Sequence, residues 1–185
     1  MEIFVGIVIG FISSLLFSSV QFAGYLIDSL TGFSFVELVD PFTDTSISVI
    51  GQFNVLIFTI VFFLINGHYF MILAIQKSFE VVPLLGVGFN PGKLVDFMTS
   101  QTGAVFVVAF KLCAPVFVAL IITQVALGVV ARTVPQINVF FVGVPLNIVV
   151  AFCVLIIVLP NLVTLFKSVF DTMMQDIWKL LYLMA

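Results

Sequence analysis

Charge is what this 185-residue chain has least of: 8% of its residues are Asp, Glu, Lys or Arg, six basic against nine acidic. A soluble domain carries about 25%. So few ionic side chains cannot cover a compact soluble fold of this size, which excludes a water-soluble globular enzyme. A formal net charge of −3 and a pI near 4.7 also exclude a nucleic-acid partner, because phosphate binding relies on grouped Lys and Arg. Cys113 and Cys153 lie in apolar runs with no third Cys and no His nearby, so they form no metal site. Each reads as a buried, inert thiol. Catalytic parts are missing too: there is one His, no HExxH, no serine-nucleophile motif, no paired intramembrane carboxylates and no phosphate-binding glycine loop. An intramembrane hydrolase lacks its machinery, and the chain cannot by itself energise transport with ATP. No enzyme activity, cofactor or metal is expected.

What the sequence has in abundance is apolar surface. It is 63% hydrophobic, with 23 phenylalanines and a mean hydropathy of +1.37, the composition of an all-α integral membrane protein in contact with lipid. About 20 apolar residues span a bilayer core as a helix. Ile3–Ile27, Phe53–Ile75, Gly103–Ala131 and Ile137–Phe166 all qualify. The first is not a secretory signal, since Met1-Glu2 supplies no positive n-region and the run is too long. Asp28–Gln52 reads as a loop with four acids (Asp28, Glu37, Asp40, Asp44) and no base. Arg132–Gln136 is so short a joint that the last two spans form an antiparallel hairpin. Beyond Phe166, Lys167, Asp171, Gln175 and Lys179 mark one face of an amphipathic terminal helix, on the membrane surface or against partners. The organisation expected is thus 1–102, a 103–166 hairpin and 167–185. Lys77, Lys93, Lys167 and Lys179 on one side against Arg132 on the other would place both termini in the cytoplasm. Five residues leave the orientation open.

Several residues are unsuited to helices bathed in lipid. Gly6, Gly10, Ser14 and Ser18 recur every four positions, a spacing that lets another backbone approach. Packing within one bundle and contact between subunits both account for it. Lys111 lies four residues before Pro115, so a charge and a freed carbonyl coincide. Pro145 and Pro160 likewise free the carbonyls of Phe141 and Ile156. Counting outward from the hairpin turn, Lys111 falls near Ile156 and could donate to its carbonyl; snorkelling to headgroups is the other reading. Asn66-Gly67-His68 interrupts the second span. With no titratable neighbours for a proton relay, His68 reads as a structural residue hydrogen-bonding across helices, with Gly67 admitting a neighbour.

The order of these features resembles the FliR/SctT family of type III secretion export-gate subunits. The matching fragments begin with Ala23-Gly24, Ile27-Asp28, Thr31-Gly32-Phe33-Ser34 and Asp40-Pro41. They continue with Phe63-Leu64, Asn66-Gly67-His68 and Ser78-Phe79 before Pro83. Ala114-Pro115-Val116, Ala126-Leu127-Gly128, Ala131-Arg132, Pro135-Gln136-Ile137-Asn138-Val139-Phe140 and Gly143-Val144-Pro145-Leu146 follow. The resemblance implies an export gate for unfolded flagellar or virulence proteins, nearer the flagellar form, with FliP-like and FliQ-like subunits and FlhB-like and FlhA-like components. It also implies the bacterial inner membrane and the flagellar basal body. The segment Phe106–Phe166 is itself similar to FliQ. Family members carry further hydrophobic segments ahead of the point where this chain begins.

In the resemblance, Tyr25–Asp44 corresponds to a channel plug, with Gly32, Phe33, Phe35, Val36, Leu38, Val39, Asp40 and Pro41 as gating residues. Gly32 permits irregular backbone, and the apolar side chains with Phe42 could pack into a water-excluding constriction. An acidic extramembrane loop with an aromatic anchor is the other reading. Packing and interface roles are expected for Asn66, Gly67, His68, Lys111, Pro115, Arg132, Pro135, Gln136, Asn138, Gly143 and Pro145, together with Gly6, Gly10, Ser14 and Ser18. A small secondary transporter, or a scaffold that conducts nothing, are the competing functions. A transporter would call for inverted repeats and midplane titratable clusters, which are not evident here.

Overall fold

The computed structural model describes residues 2–32, 48–81, 91–134, 136 and 138–184. All regular structure among them is helical: α1 (Glu2–Thr31), α2 (Val49–Leu64), α3 (Gly67–Val81), α4 (Pro91–Thr133) and α5 (Val139–Met184). Three helices are long and apolar enough to cross a membrane, over Val5–Thr31, Leu94–Thr133 and Phe141–Leu181. A fourth span is available if α2 and α3, bent by 68°, are one broken crossing. The chain is an all-α integral membrane protein.

Local chemistry sets the helix ends. α1 runs past Ile27 and stops at Gly32, whose φ of 89° suits a residue without a Cβ. Gly32 N–H donates to the Asp28 carbonyl at 3.2 Å, the left-handed cap that closes many helices. α2 opens on Ser48, whose Oγ accepts from Gly51 N–H at 2.9 Å, the usual bond of a serine N-cap. Between α2 and α3, Asn66 is left-handed with φ 58°, a conformation Asn tolerates better than most residues. Its N–H donates back to Phe63, and its carbonyl accepts from Tyr69 and Phe70, so the break leaves its peptide groups paired. Pro91 stands at the first position of α4, where a missing N–H costs nothing.

Pro115 lies inside α4, and Pro145 and Pro160 inside α5, without ending either helix. α4 likewise runs unbroken across residues 102 and 103, and α5 across 166 and 167. The terminal amphipathic segment is therefore the end of one 46-residue helix. Its polar residues Lys167, Asp171, Gln175 and Lys179 are exposed, as the spacing predicts. Its apolar face is buried within the chain itself.

The chain divides into two compact units. The first comprises 1–19, 57–108 and 163–185. Its core joins Val8, Ile9 and Ile12 of α1 with Phe58 of α2, Ala74 of α3, and Phe166, Phe170, Ile177 and Leu181 of α5. Edge-to-face rings run through it: Phe17–Phe58 at 5.0 Å, Phe58–Phe166 at 5.1 Å and Phe62–Phe170 at 5.6 Å. Such pairs add about 0.5–1.5 kcal/mol each beyond area burial.

The second unit comprises 20–56 and 109–162. Here α1 and α2 cross at two glycines: a Cβ on Gly24 would collide with the Gly51 backbone, and one on Gly51 with Ser48 and the Gln21 carbonyl. The hairpin arms meet where a Cβ on Gly143 would lie 3.3 Å from Leu127. Val116 and Leu120 of α4 and Ala151 and Leu155 of α5 are buried in this unit.

Candidate functional site

In the second unit a polar cluster surrounds the last turn of α1. Asp28 is 2% exposed, and its carboxylate reaches across to the start of α2. Ser48 Oγ donates to Asp28 Oδ2 at 2.5 Å, and Ile50 N–H donates to Oδ2 at 3.1 Å and to Oδ1 at 3.3 Å. The N-terminus of α2 is thus capped twice, once by its own serine and once by a carboxylate from α1, the charge a helix N-terminus favours. The Asp28 carbonyl is occupied as well, accepting from Gly32 N–H and from Thr31 Oγ1 at 3.0 Å.

Two residues further on, the Leu30 carbonyl is one of the acceptors that every helix leaves over at its C-terminal end. Both arms of the hairpin supply donors to it: Gln124 Nε2 of α4 at 3.1 Å and Asn147 Nδ2 of α5 at 3.4 Å. Four helices therefore converge on residues 28–31. Asn147 is 7% exposed, and its Oδ1 accepts no hydrogen bond among the described residues; the same holds for Asn54 Oδ1.

The sequence reading counts Asp28 as a loop acid and passes over Ser48, Leu30, Gln124 and Asn147. Their signals were present. Ser48 precedes an apolar helical run, Asp28 stands four residues before a capping glycine, and Gln124 and Asn147 are amides at the same level of the hairpin.

The expected site residues have mixed fates. Gly32 is buried at the α1 cap. Phe33, Phe35, Val36, Leu38, Val39, Asp40 and Pro41 lie outside the described residues, as does Pro135. Gly6, Gly10, Ser14 and Ser18 are exposed, and a Cβ on Gly6 or Gly10 would meet nothing within 4 Å. That stripe is not used for packing among the described residues, because α1 turns its larger apolar residues inward instead. Gly67 admits aromatic rings: a Cβ there would strike Phe62 and lie 3.0 Å from Phe170.

Three expectations are corrected. His68 is exposed and makes no hydrogen bond across helices among the described residues; its ring lies 5.2 Å from that of Phe63, a neighbour across the break. Lys111 is exposed and does not reach the Ile156 carbonyl, because both residues point outward and Ile156 is itself 71% exposed. Cys153 is exposed, whereas Cys113 is buried as expected. Arg132, Gln136, Asn138 and Pro145 are exposed; Pro115 is half-buried and Gly143 buried.

Comparison with known proteins gives a consistent picture. Residues 1–173 match the family described as bacterial export proteins, family 1. The chain is 35% identical to the flagellar biosynthetic protein FliR of Bacillus subtilis, across 100% of this chain and 72% of that protein. It is 26% identical to FliR of Escherichia coli, across 97% of this chain and 70% of that protein. It is also 26% identical to the Yop proteins translocation protein T of Yersinia pestis, across 84% of this chain and 60% of that protein.

Proposed function

The chain belongs to the bacterial export proteins, family 1, and from that membership we infer that it is a non-enzymatic subunit of a flagellar type III protein export apparatus. The observation that carries this reading is the family match over residues 1–173 in a chain built of membrane-crossing helices. In the finer reading it works with FliP-like and FliQ-like subunits, beside FlhB-like and FlhA-like components. Together they would form a conduit for unfolded flagellar proteins in the bacterial inner membrane, at the basal body.

Surface chemistry supports a role among partners. Gln21, Gln52, Lys111 and Asn161 are exposed on otherwise apolar helices. Polar groups at such positions are costly against hydrocarbon and suit protein contacts or water. The open Gly6, Gly10, Ser14 and Ser18 face suits a partner helix for the same reason that it suits close packing. A small transporter would use unwound backbone at a helix break to hold its substrate. Here the carbonyl of Asn66 is occupied by the N–H groups of Tyr69 and Phe70 in the first turn of α3, which counts against that alternative.

In this reading residues 25–44 act as a plug, the first part of which is the capped end of α1. Mild-detergent extraction followed by mass analysis tests the assembly: the chain is expected to travel with FliP-like and FliQ-like subunits. A lone, monodisperse carrier that moves a small solute into vesicles would end the proposal. Small deletions within Gly32–Val39 are expected to raise ion leakage. Unchanged permeability would leave only a scaffold.

A further inference from the structure

We propose that Gln124 and Asn147 are positioning residues forming a two-position latch that holds the C-terminal end of α1 against the α4–α5 hairpin. The consequence for conduction rests on reading 25–44 as a plug; the latch itself does not.

In the described position both side-chain amides donate to one oxygen, the Leu30 carbonyl. This arrangement satisfies Leu30 fully and Asn147 poorly. The Asn147 bond is long, and its buried Oδ1 accepts nothing among the described residues. A buried acceptor left without a donor carries most of its desolvation cost.

The hairpin supplies the second position. The Gly143–Leu127 pairing puts Gln124 and Asn147 at one level on opposite arms. Because both amide nitrogens reach the same oxygen, a change of side-chain rotamer can bring the two amides into bonding range once that oxygen is withdrawn. Gln124 Nε2 would then donate to Asn147 Oδ1, replacing the bond lost to Leu30 and pairing the unpaired acceptor. Leu30, at a helix end and only half-buried, can give its carbonyl to water. The second position has one bond fewer among these groups and leaves Asn147 Nδ2 without the Leu30 oxygen, so the described position is the favoured one and the second a minor state that a ligand or partner can enrich.

The test uses the export assembly extracted with its partners, with nitroxide labels at Ser29→Cys and Gly128→Cys on a Cys113→Ala, Cys153→Ala background. Both labelled positions are exposed. The label-to-label distance is compared between the parent and the Gln124→Met, Asn147→Leu double variant, which preserves side-chain bulk while removing both donors. The parent should give a narrow distribution. The variant should show a longer-distance population enriched about tenfold, the effect of losing one to two net hydrogen bonds. Asn147→Leu alone should leave the Tm unchanged or higher, because it removes the unpaired acceptor together with a weak bond. Cells carrying the double variant should leak ions several-fold faster on the same scale.

An unchanged distance distribution overturns the latch, whatever the leakage. So does a fall in Tm for Asn147→Leu alone, which would mark that amide as ordinary packing. A longer distance with no added leakage keeps the latch and removes the plug reading.

Discussion

Gly24 and Gly10 lie about four helical turns apart on α1 and have opposite surroundings. A methyl on Gly24 would meet the backbone of Gly51, which has no rotamer with which to yield; around Gly10 there is open space. Gly24→Val should therefore lower the stability of the extracted chain by about 1–3 kcal/mol, the usual range for overpacking. Gly10→Ala should leave it unchanged or raise it by about 0.5–1 kcal/mol, the helix-interior penalty of glycine being removed. Thermal unfolding in detergent, read by circular dichroism, compares the two. Equal losses would show that the crossing at Gly24 is not where α1 and α2 meet. The sequence already places small residues along α1, but periodicity alone cannot say which face turns inward. The deciding factor was bulk: Val8, Ile9, Ile12 and Leu16 are buried, and the small stripe is left outside.

Helix ends and breaks were legible in proportion to how local their causes are. The interruption at Asn66-Gly67 shows in the sequence because one left-handed residue and one crowded glycine are enough to make it. Asn66→Gly should be tolerated, whereas Asn66→Val should cost about 1–2 kcal/mol, the penalty of a left-handed conformation with a Cβ. The same melting measurement decides between them, and equal stability of the two variants would exclude a left-handed Asn66. Asp28 was less legible, because its partners are 20 and 22 residues away at the start of α2. Asp28→Ala leaves the Ser48 hydroxyl and the Ile50 N–H without that acceptor. About 2–3 kcal/mol should be lost, in line with hydrogen bonds to a charged group. Denaturation of the variant should begin with faster amide exchange at residues 49–51. The continuity of α5 from Phe166 into Lys167 was missed for a related reason. A change of polarity there signals a boundary, but packing of Phe166 and Phe170 against α2 carries the helix onward.

For the whole molecule, composition alone excluded most functions, and the family match over residues 1–173 agrees with the motif string read along the chain. Partner surfaces could not be read this way, since an apolar helix face looks alike whether lipid or protein covers it. The exposed stripe on α1 offers a way to separate the two. Gly10→Leu fills open space in the isolated chain and should leave its Tm within about 0.5 kcal/mol equivalent of the parent, as for a surface substitution. If a partner helix lies there, the same change should reduce recovery of FliP-like and FliQ-like subunits in pull-downs several-fold. Full recovery would assign the stripe to lipid.

The Asp28 bridge to Ser48 and Ile50 also has a geometric corollary. It ties the last turn of α1 to the first turn of α2, although 15 residues separate Gly32 from Ser48 in the sequence. The two helix ends should therefore respond as one: any change that cuts the bridge is expected to speed amide exchange at 29–31 and at 49–51 in parallel, a shared hinge post rather than two independent termini.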